Sequence, residues 1–221
     1  MEISIYDTLL GLPLFQGMSK SDFTNLLQKV QLDFGRYEDG DTVIASHEIC
    51  HRFAFLIGGT LESSRTDENG SFEFRETLKA PCLIEPYSMF GRDNQYRRSY
   101  RTAGKASMLF IDKQYVYTEI GKYNICRMNM LNMLSGTIQK LDRNIWSITE
   151  MTLRDRIICF IRSLADHHKG EKKLLITMNS LARLMDATRI NVSRVLNALQ
   201  KEGLVELSRG GINIPLLENL K

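Results

Sequence analysis

Basic and amide side chains are concentrated between Thr188 and Lys201, and this stretch contains no acidic residue. A solvated helix face normally mixes both signs of charge, so the absence of acids favours a polyanionic partner. Arg and Asn are also the side chains that pair with two atoms of a guanine or adenine edge at once. We therefore expect this region to bind double-stranded DNA. The residues of this stretch expected to contact it are Thr188, Arg189, Asn191, Ser193, Arg194, Asn197 and Lys201.

Two short helices and a hairpin are predicted to position these side chains. Apolar spacing and turn residues predict, in order, a helix over 180–185, a turn over 185–188, a helix over 188–202 and a hairpin over 204–214. Thr188 can cap the second helix at its beginning, and Gly203 can end it. Together these elements predict a winged helix-turn-helix, and a helical hairpin without a ligand is the alternative.

The middle of the chain, from Phe34 to Ile111, contains short aromatic and β-branched runs separated by turn residues. Asn69-Gly70 lies between two such runs and predicts a β-hairpin, because both residues tolerate positive φ. Many short strands with regular turns predict an antiparallel roll or barrel. A short helix is predicted ahead of it, over 19–30, with Ser19 or Ser21 as its N-cap.

A stripe of apolar residues follows the predicted roll at alternating spacings of three and four, which is the a/d pattern of a coiled coil. Such a stripe predicts a parallel two-stranded dimer helix, and a helix packed on its own chain's core is the alternative. The residues expected in the dimer interface are Leu131, Leu134, Ile138, Leu141, Ile145 and Ile148.

Composition narrows the possible function classes. The net charge is +3, but residues 151–221 hold 12 basic and seven acidic residues, so the positive charge is concentrated in the last third. No apolar run approaches the roughly 18 residues of a membrane span, and Met1 is not followed by a basic signal region. A soluble, cytoplasmic protein is therefore expected. The four cysteines lie far apart, and neither a zinc nor any other metal site is predicted.

The segment with Ser193-Arg194-Val195-Leu196 and Gln200-Lys201-Glu202-Gly203-Leu204-Val205 resembles the C-terminal domain of the Crp/Fnr transcription regulators. The preceding roll, with Gly40 and Gly59 at turn positions, agrees in order. The resemblance implies an α+β fold with a cyclic-nucleotide-binding-like antiparallel β-roll at 1–112, a dimerisation helix at 113–150 and a winged helix-turn-helix at 151–221. It further implies a homodimer that binds an inverted-repeat operator, with RNA polymerase as a further partner.

Site residues carried over from the resemblance divide into base and phosphate contacts. Arg189 and Arg194 match positions that contact bases, and Ser193 matches a base-proximal position. Thr177 matches a residue that meets a phosphate, and Lys201 and Arg209 are expected to hold phosphates as well. Ile190 stands where the family commonly has a glutamate that reads cytosine, so we expect an operator that differs from the family's usual half-sites. Asp186, which tolerates positive φ, stands at the common turn glycine.

An effector site is expected in the predicted roll. The resemblance implies a ligand site at Glu85, Arg97, Arg98 and Ser99. Ile84 replaces a glycine and Pro86 removes an N–H donor there, which disfavours cyclic AMP. No cysteine precedes Cys50, which excludes the family's N-terminal iron–sulfur cluster. Haem held by His47 or His51, sensing nitric oxide or carbon monoxide, and another anion are the remaining alternatives, so the effector stays unidentified.

Two other function classes are weighed against a DNA-binding regulator. A cupin-like enzyme needs clustered His and Glu, and the chain has only four histidines, two of them adjacent at His167-His168. No catalytic triad or phosphate-binding loop is present in the sequence, and no enzymatic activity is expected. A cyclic-nucleotide-binding-like sensory module without specific DNA binding is the second alternative, and it leaves the acid-free stretch unexplained.

Overall fold

The computed structural model describes residues 5–146 and 151–220. Its helices and strands follow in the order α1 (Ile5–Leu10), α2 (Lys20–Leu27), β1 (Asp33–Tyr37), β2 (Thr42–Ile44), β3 (Arg52–Gly58), β4 (Thr60–Thr66), β5 (Phe72–Lys79), β6 (Cys82–Ile84), β7 (Ser99–Thr102), β8 (Ala106–Asp112), α3 (Lys113–Thr118), α4 (Asn124–Trp146), α5 (Leu153–Leu164), β9 (Lys172–Ile176), α6 (Met178–Leu184), α7 (Arg189–Lys201), β10 (Glu206–Ser208) and β11 (Gly211–Ile214). Short 3-10 helices lie at Pro86–Met89, Ile120–Lys122 and Leu217–Asn219. None of the described helices is both long and apolar enough to cross a membrane.

The chain divides into two compact units, which are described separately. The first unit comprises Met1–Glu62 and Leu78–Ile138, and the second comprises Ser63–Thr77 and Gln139–Lys221. The second unit therefore contains most of the β4–β5 hairpin besides the C-terminal third of the chain.

The first unit is an antiparallel roll, as the sequence predicts. One of its sheets has the strand order β1-β8-β3-β6, and β2 pairs with β7. The central strand β3 is buried continuously from Phe53 to Leu56, because both of its faces are covered. Phe55 stacks near Phe15, whose ring meets Phe23 edge to face at 5.1 Å. These aromatic contacts anchor α2 on the roll, and Ser19 caps α2 through Asp22 N, as predicted.

Helix α4 begins later than the dimerisation helix that the sequence predicts. Helical structure begins at Lys113, but α3 ends at Thr118 and a 3-10 turn separates it from α4. On one side of α4, Cys126 is buried in the first unit's core, and Met130 and Met133 pack partly against the same core. This side of the helix is consequently occupied by its own chain.

The second unit is a winged helix-turn-helix with an added strand. Its strands have the order β10-β11-β9-β5, and all the pairings are antiparallel. Strand β9 was not predicted from the sequence, and neither was its pairing with β5. Glu76 of β5 is buried, and its carboxylate accepts hydrogen bonds from the backbone N–H groups of Asp166 and His167. The hairpin predicted around Asn69-Gly70 is present, and its second strand extends the sheet of the wing.

Candidate nucleic-acid interface

Helix α7 begins at a tight turn whose geometry follows from its sequence. Asp186 has a φ of 45°, so it takes the left-handed conformation predicted at the turn glycine position. The Ala187 N–H donates to the Ala182 carbonyl oxygen at 3.0 Å and closes the turn. Thr188 caps α7, and its Oγ1 accepts from the Asn191 N–H at 3.3 Å. These contacts fix the direction in which α7 leaves α6.

The two faces of α7 differ sharply in burial. Val192, Leu196 and Leu199 are fully buried in the second unit's core. The side chains expected to contact DNA lie on the rest of the helix: Arg189, Ile190, Asn191, Arg194, Asn197 and Lys201 are exposed, and Ser193 is half-buried. Ile190 is 72% exposed, which is unusual for a large aliphatic side chain without a partner. The outer face is thus basic and rich in amides, and it carries one large exposed apolar side chain, that of Ile190.

Weak hydrogen bonds within α7 orient two of these side chains. Arg194 Nη1 donates to Asn191 Oδ1 at 3.4 Å, and Asn197 Nδ2 donates to Ser193 Oγ at 3.3 Å. Both distances are at the long end of the hydrogen-bond range, so the bonds can be exchanged for contacts to a base. Arg194 also has further guanidinium donors, and a guanidinium fork can match the O6 and N7 acceptors of guanine.

Thr177 and Arg209 lie outside α7, and both line the same cavity. Thr177 caps α6 through the Ser180 N–H at 3.0 Å, and Arg209 lies at the exposed tip of the wing. Both residues line a cavity of about 310 Å³ between the end of β9, the helices and the wing, whose floor is aliphatic. A hydroxyl and a guanidinium at this rim provide donors of the kind that bind phosphate oxygens.

Three of the six residues predicted for dimerisation are exposed on α4. Leu131, Ile138 and Leu141 are 55%, 65% and 54% exposed, and Leu134 is half-buried. Ile145 lies within α4, whereas Ile148 falls outside the described residues. Exposed leucine and isoleucine side chains in a row on one helix are typical of a surface that a partner covers.

The four residues predicted to bind an effector do lie together in the first unit, but they contact one another and their neighbours. Glu85 accepts from the backbone N–H groups of Arg97 and Arg98. The Arg97 guanidinium forms an ion pair with Asp93, and Ser99 Oγ accepts from the Ser46 N–H at 3.0 Å. Two further hydroxyls bind Glu85, those of Ser88 and Tyr100, which the sequence did not indicate.

The two histidines considered for haem are exposed on the loop before β3. His51 Nδ1 lies 3.1 Å from the Ile49 carbonyl oxygen, and His47 has a φ of 67°. Within the described part of the chain, His, Cys, Asp and Glu side chains form no group of three that could hold a metal ion.

Comparison with known proteins then identifies the C-terminal region. A family model of the Crp-like helix-turn-helix domain matches residues 155–221. These residues form a Crp-like helix-turn-helix domain. The cyclic AMP receptor protein of Thermus thermophilus is 22% identical over 209 residues, covering 92% of this chain and 93% of that protein. The crystal structure of the catabolite activator protein of Thermus thermophilus shares the fold, with a TM-score of 0.55, 20% identity and coverage of 94% and 96%.

The resemblance to the Crp/Fnr regulators and the α+β fold class predicted from the sequence are confirmed. The similarity to these two Thermus thermophilus proteins extends over most of the chain, and the Crp-like domain at 155–221 supplies its helix-turn-helix. Within that domain α6 and α7 are the two helices of the motif, and β10 and β11 form the wing.

Proposed function

We propose that this chain is a homodimeric, sequence-specific transcription regulator that binds an inverted repeat through α7. The observation that carries the proposal is the outer face of α7, where exposed Arg, Asn and Lys side chains occur without any acid over the whole helix. A helix of this kind at the second position of a helix-turn-helix enters the major groove with its N-terminal residues on the base edges.

The DNA contacts divide by position on the second unit. Arg189, Asn191, Ser193 and Arg194 lie in the first turns of α7 and read bases, while Ile190 packs against a thymine methyl group. Thr188 and Asn197 complete this surface. Contacts to phosphates come from Thr177, Lys201 and Arg209, which lie at the periphery of the helix and at the wing.

A second copy of this chain covers the exposed apolar side of α4. Pairing Leu131, Leu134, Ile138 and Leu141 with the same residues of a partner buries side chains that the single chain leaves in water. A two-fold dimer presents two α7 helices, and these fit successive major grooves about 34 Å apart. This geometry is the reason to expect an inverted repeat rather than a single site.

A small-molecule effector and RNA polymerase are the further partners of a regulator of this type. The effector is unidentified, and cyclic AMP is not the candidate, because Ile84 and Pro86 stand where its phosphate needs a close backbone and an N–H donor. Haem held by His47 or His51 is a separate candidate. Titrating the purified protein with haem and recording the absorption spectrum tests it, since axial imidazole ligation changes the spectrum of the haem.

Selection from a pool of random duplexes by the purified protein tests the proposed function. We expect enrichment of an inverted repeat whose half-sites lie one helical turn apart. A sensory module without specific DNA binding would instead retain duplexes of every sequence, with an affinity that depends steeply on salt.

A further inference from the structure

Four donors converge on the Glu85 carboxylate in the first unit. Its Oε1 accepts from the Arg98 N–H at 3.0 Å and from Tyr100 Oη at 2.8 Å. Its Oε2 accepts from the Arg97 N–H at 2.8 Å and from Ser88 Oγ at 2.8 Å. Glu85 is only 4% exposed, so these bonds replace water almost completely.

The arrangement has the composition of an oxyanion site. Two adjacent backbone N–H groups and two hydroxyl groups point at one place, and each carboxylate oxygen takes two of them, which uses its acceptor capacity. If the carboxylate were absent, these four donors would be left in a buried region without acceptors, at a substantial cost in stability. The donors and the carboxylate therefore stabilise one another.

The backbone conformation of Glu85 is unusual. Glu85 has a φ of 36°, in the left-handed region that side chains other than glycine rarely adopt. A strained conformation of this kind persists where surrounding contacts determine it, and here the contacts are those of the carboxylate. Ser88 also donates its backbone N–H to the Glu85 carbonyl oxygen, at 2.9 Å, in the 3-10 turn that follows.

We propose that the Glu85 carboxylate is the anion of this site in the roll. Glu85 fills an oxyanion site built by Ser88, Arg97, Arg98 and Tyr100, so the segment from 85 to 100 is ordered without a small anionic ligand, and phosphates or carboxylates from solution do not enter there. The proposal concerns the first unit and does not depend on DNA binding, so either can fail without the other.

Chemical rescue tests this directly. Glu85→Ala removes a methylene and a carboxylate, whose heavy atoms together are those of acetate. We expect its melting temperature to fall by about 5–10 °C, from the loss of charge-assisted hydrogen bonds. Acetate should then restore part of this loss in a saturable manner, whereas chloride at equal ionic strength should not. Glu85→Gln is the matched control: it is also destabilised, because an amide cannot accept all four bonds, but the space is filled and acetate does not rescue it.

Two further measurements complete the test. Glu68→Ala removes an exposed carboxylate, and acetate should have no more effect on it than on the wild type. The wild type, titrated with cyclic AMP or inorganic phosphate, should show no saturable binding heat and no rise in melting temperature. Saturable stabilisation of the wild type by either probe at this site, or a Glu85→Ala variant that melts like the wild type, overturns the proposal.

A milder variant keeps the proposal testable if Glu85→Ala does not fold. Tyr100→Phe removes one of the four donors and leaves the carboxylate in place. Its melting temperature should fall by about 2–6 °C, as expected for one hydrogen bond to a charged acceptor. An unchanged melting temperature would show that the phenol bond does not hold Glu85, and would count against the site.

Discussion

Arg154 and Glu202 form a bidentate ion pair that joins α5 to the residue immediately after α7. Arg154 Nη1 lies 2.8 Å from Glu202 Oε1, and Nη2 lies 2.6 Å from Oε2. The bidentate geometry is the strongest arrangement for a guanidinium and a carboxylate. It also neutralises the acid that follows α7, so the basic face of α7 ends without an adjacent free negative charge.

This ion pair predicts a pH-dependent contribution to stability. The hydrogen bonds from Arg154 hold the pKa of Glu202 below its ordinary value of 4.5. Because the pKa is lower in the folded state, the contribution is complete well above pH 4.5 and is lost as the pH falls through the depressed folded-state pKa. Glu202→Gln should therefore melt below the wild type at pH 7, and the difference should narrow as the pH is lowered below 4.5 towards pH 3.

The control for this prediction is Glu171→Gln, an exposed carboxylate at the end of the loop before β9. It should melt like the wild type at both pH values. A gap between Glu202→Gln and the wild type that is equal at pH 7 and pH 3 would show that charge pairing with Arg154 is not its cause.

Disrupting the exposed side of α4 should separate the dimer. Ile138→Glu places a charge in the middle of the apolar stripe, where dimerisation would bury it without a partner. Sedimentation equilibrium should show a monomer, and affinity for an inverted repeat should fall by at least on the order of a hundredfold, as the second half-site is lost. Gln139→Glu, one residue further along, lies off the stripe and should stay dimeric. A dimeric Ile138→Glu variant would place the interface elsewhere.

The side chain at position 190 should set one base of the operator. Ile190 can contact only a thymine methyl group, whereas a glutamate accepts a hydrogen bond from cytosine N4. Ile190→Glu should shift the preference at one symmetric position from thymine towards cytosine, by about 1–3 kcal/mol. Repeating the duplex selection with the variant measures this. A shift at several positions, or at none, would contradict the placement of α7 in the groove.

Two glycines with nearly identical φ angles should differ in their tolerance of alanine. Gly40 and Gly59 have φ values of 83° and 84°, so alanine at either should cost about 1–2 kcal/mol. At Gly40 a Cβ would meet nothing within 4 Å, but at Gly59 it would lie 2.1 Å from the Lys105 carbonyl oxygen. Gly59→Ala should therefore cost about 1–3 kcal/mol more than Gly40→Ala in urea denaturation. Equal losses would show that the turn at Gly59 can relax.

Local signals in the sequence predicted the helix-turn-helix in detail. Thr188 as a cap, Asp186 in the left-handed region and Gly203 after the helix are each set by residues within a few positions, and each is found in the structure. The antiparallel roll was predicted for the same reason, since alternating strands and turn residues are local patterns. The exposure of Ile190 also follows from its place on the polar side of α7.

Features that depend on distant residues were not predicted. Strand β9 pairs with β5, about a hundred residues earlier, and neither strand's pattern indicates its partner. Lys172 within β9 is only 1% exposed, and its Nζ donates to the Lys169 carbonyl oxygen, whereas lysine in a sequence suggests a solvated position. The four donors around Glu85 likewise come from two separate segments. The family resemblance placed Glu85 and residues 97–99 in one site, but it did not indicate the hydrogen bonds of Ser88 and Tyr100 to Glu85.

The central claim is that α7 reads DNA sequence, and the binding of Arg194→Ala and Lys201→Ala to the selected duplex and its single-base variants tests it most directly. Arg194→Ala should lose about 1–3 kcal/mol and relax discrimination at one symmetric position. Lys201→Ala should weaken binding to every duplex by a similar factor and reduce the salt slope by about one. If Arg194→Ala retained the wild-type preference at every position, α7 would not be the element that reads the operator.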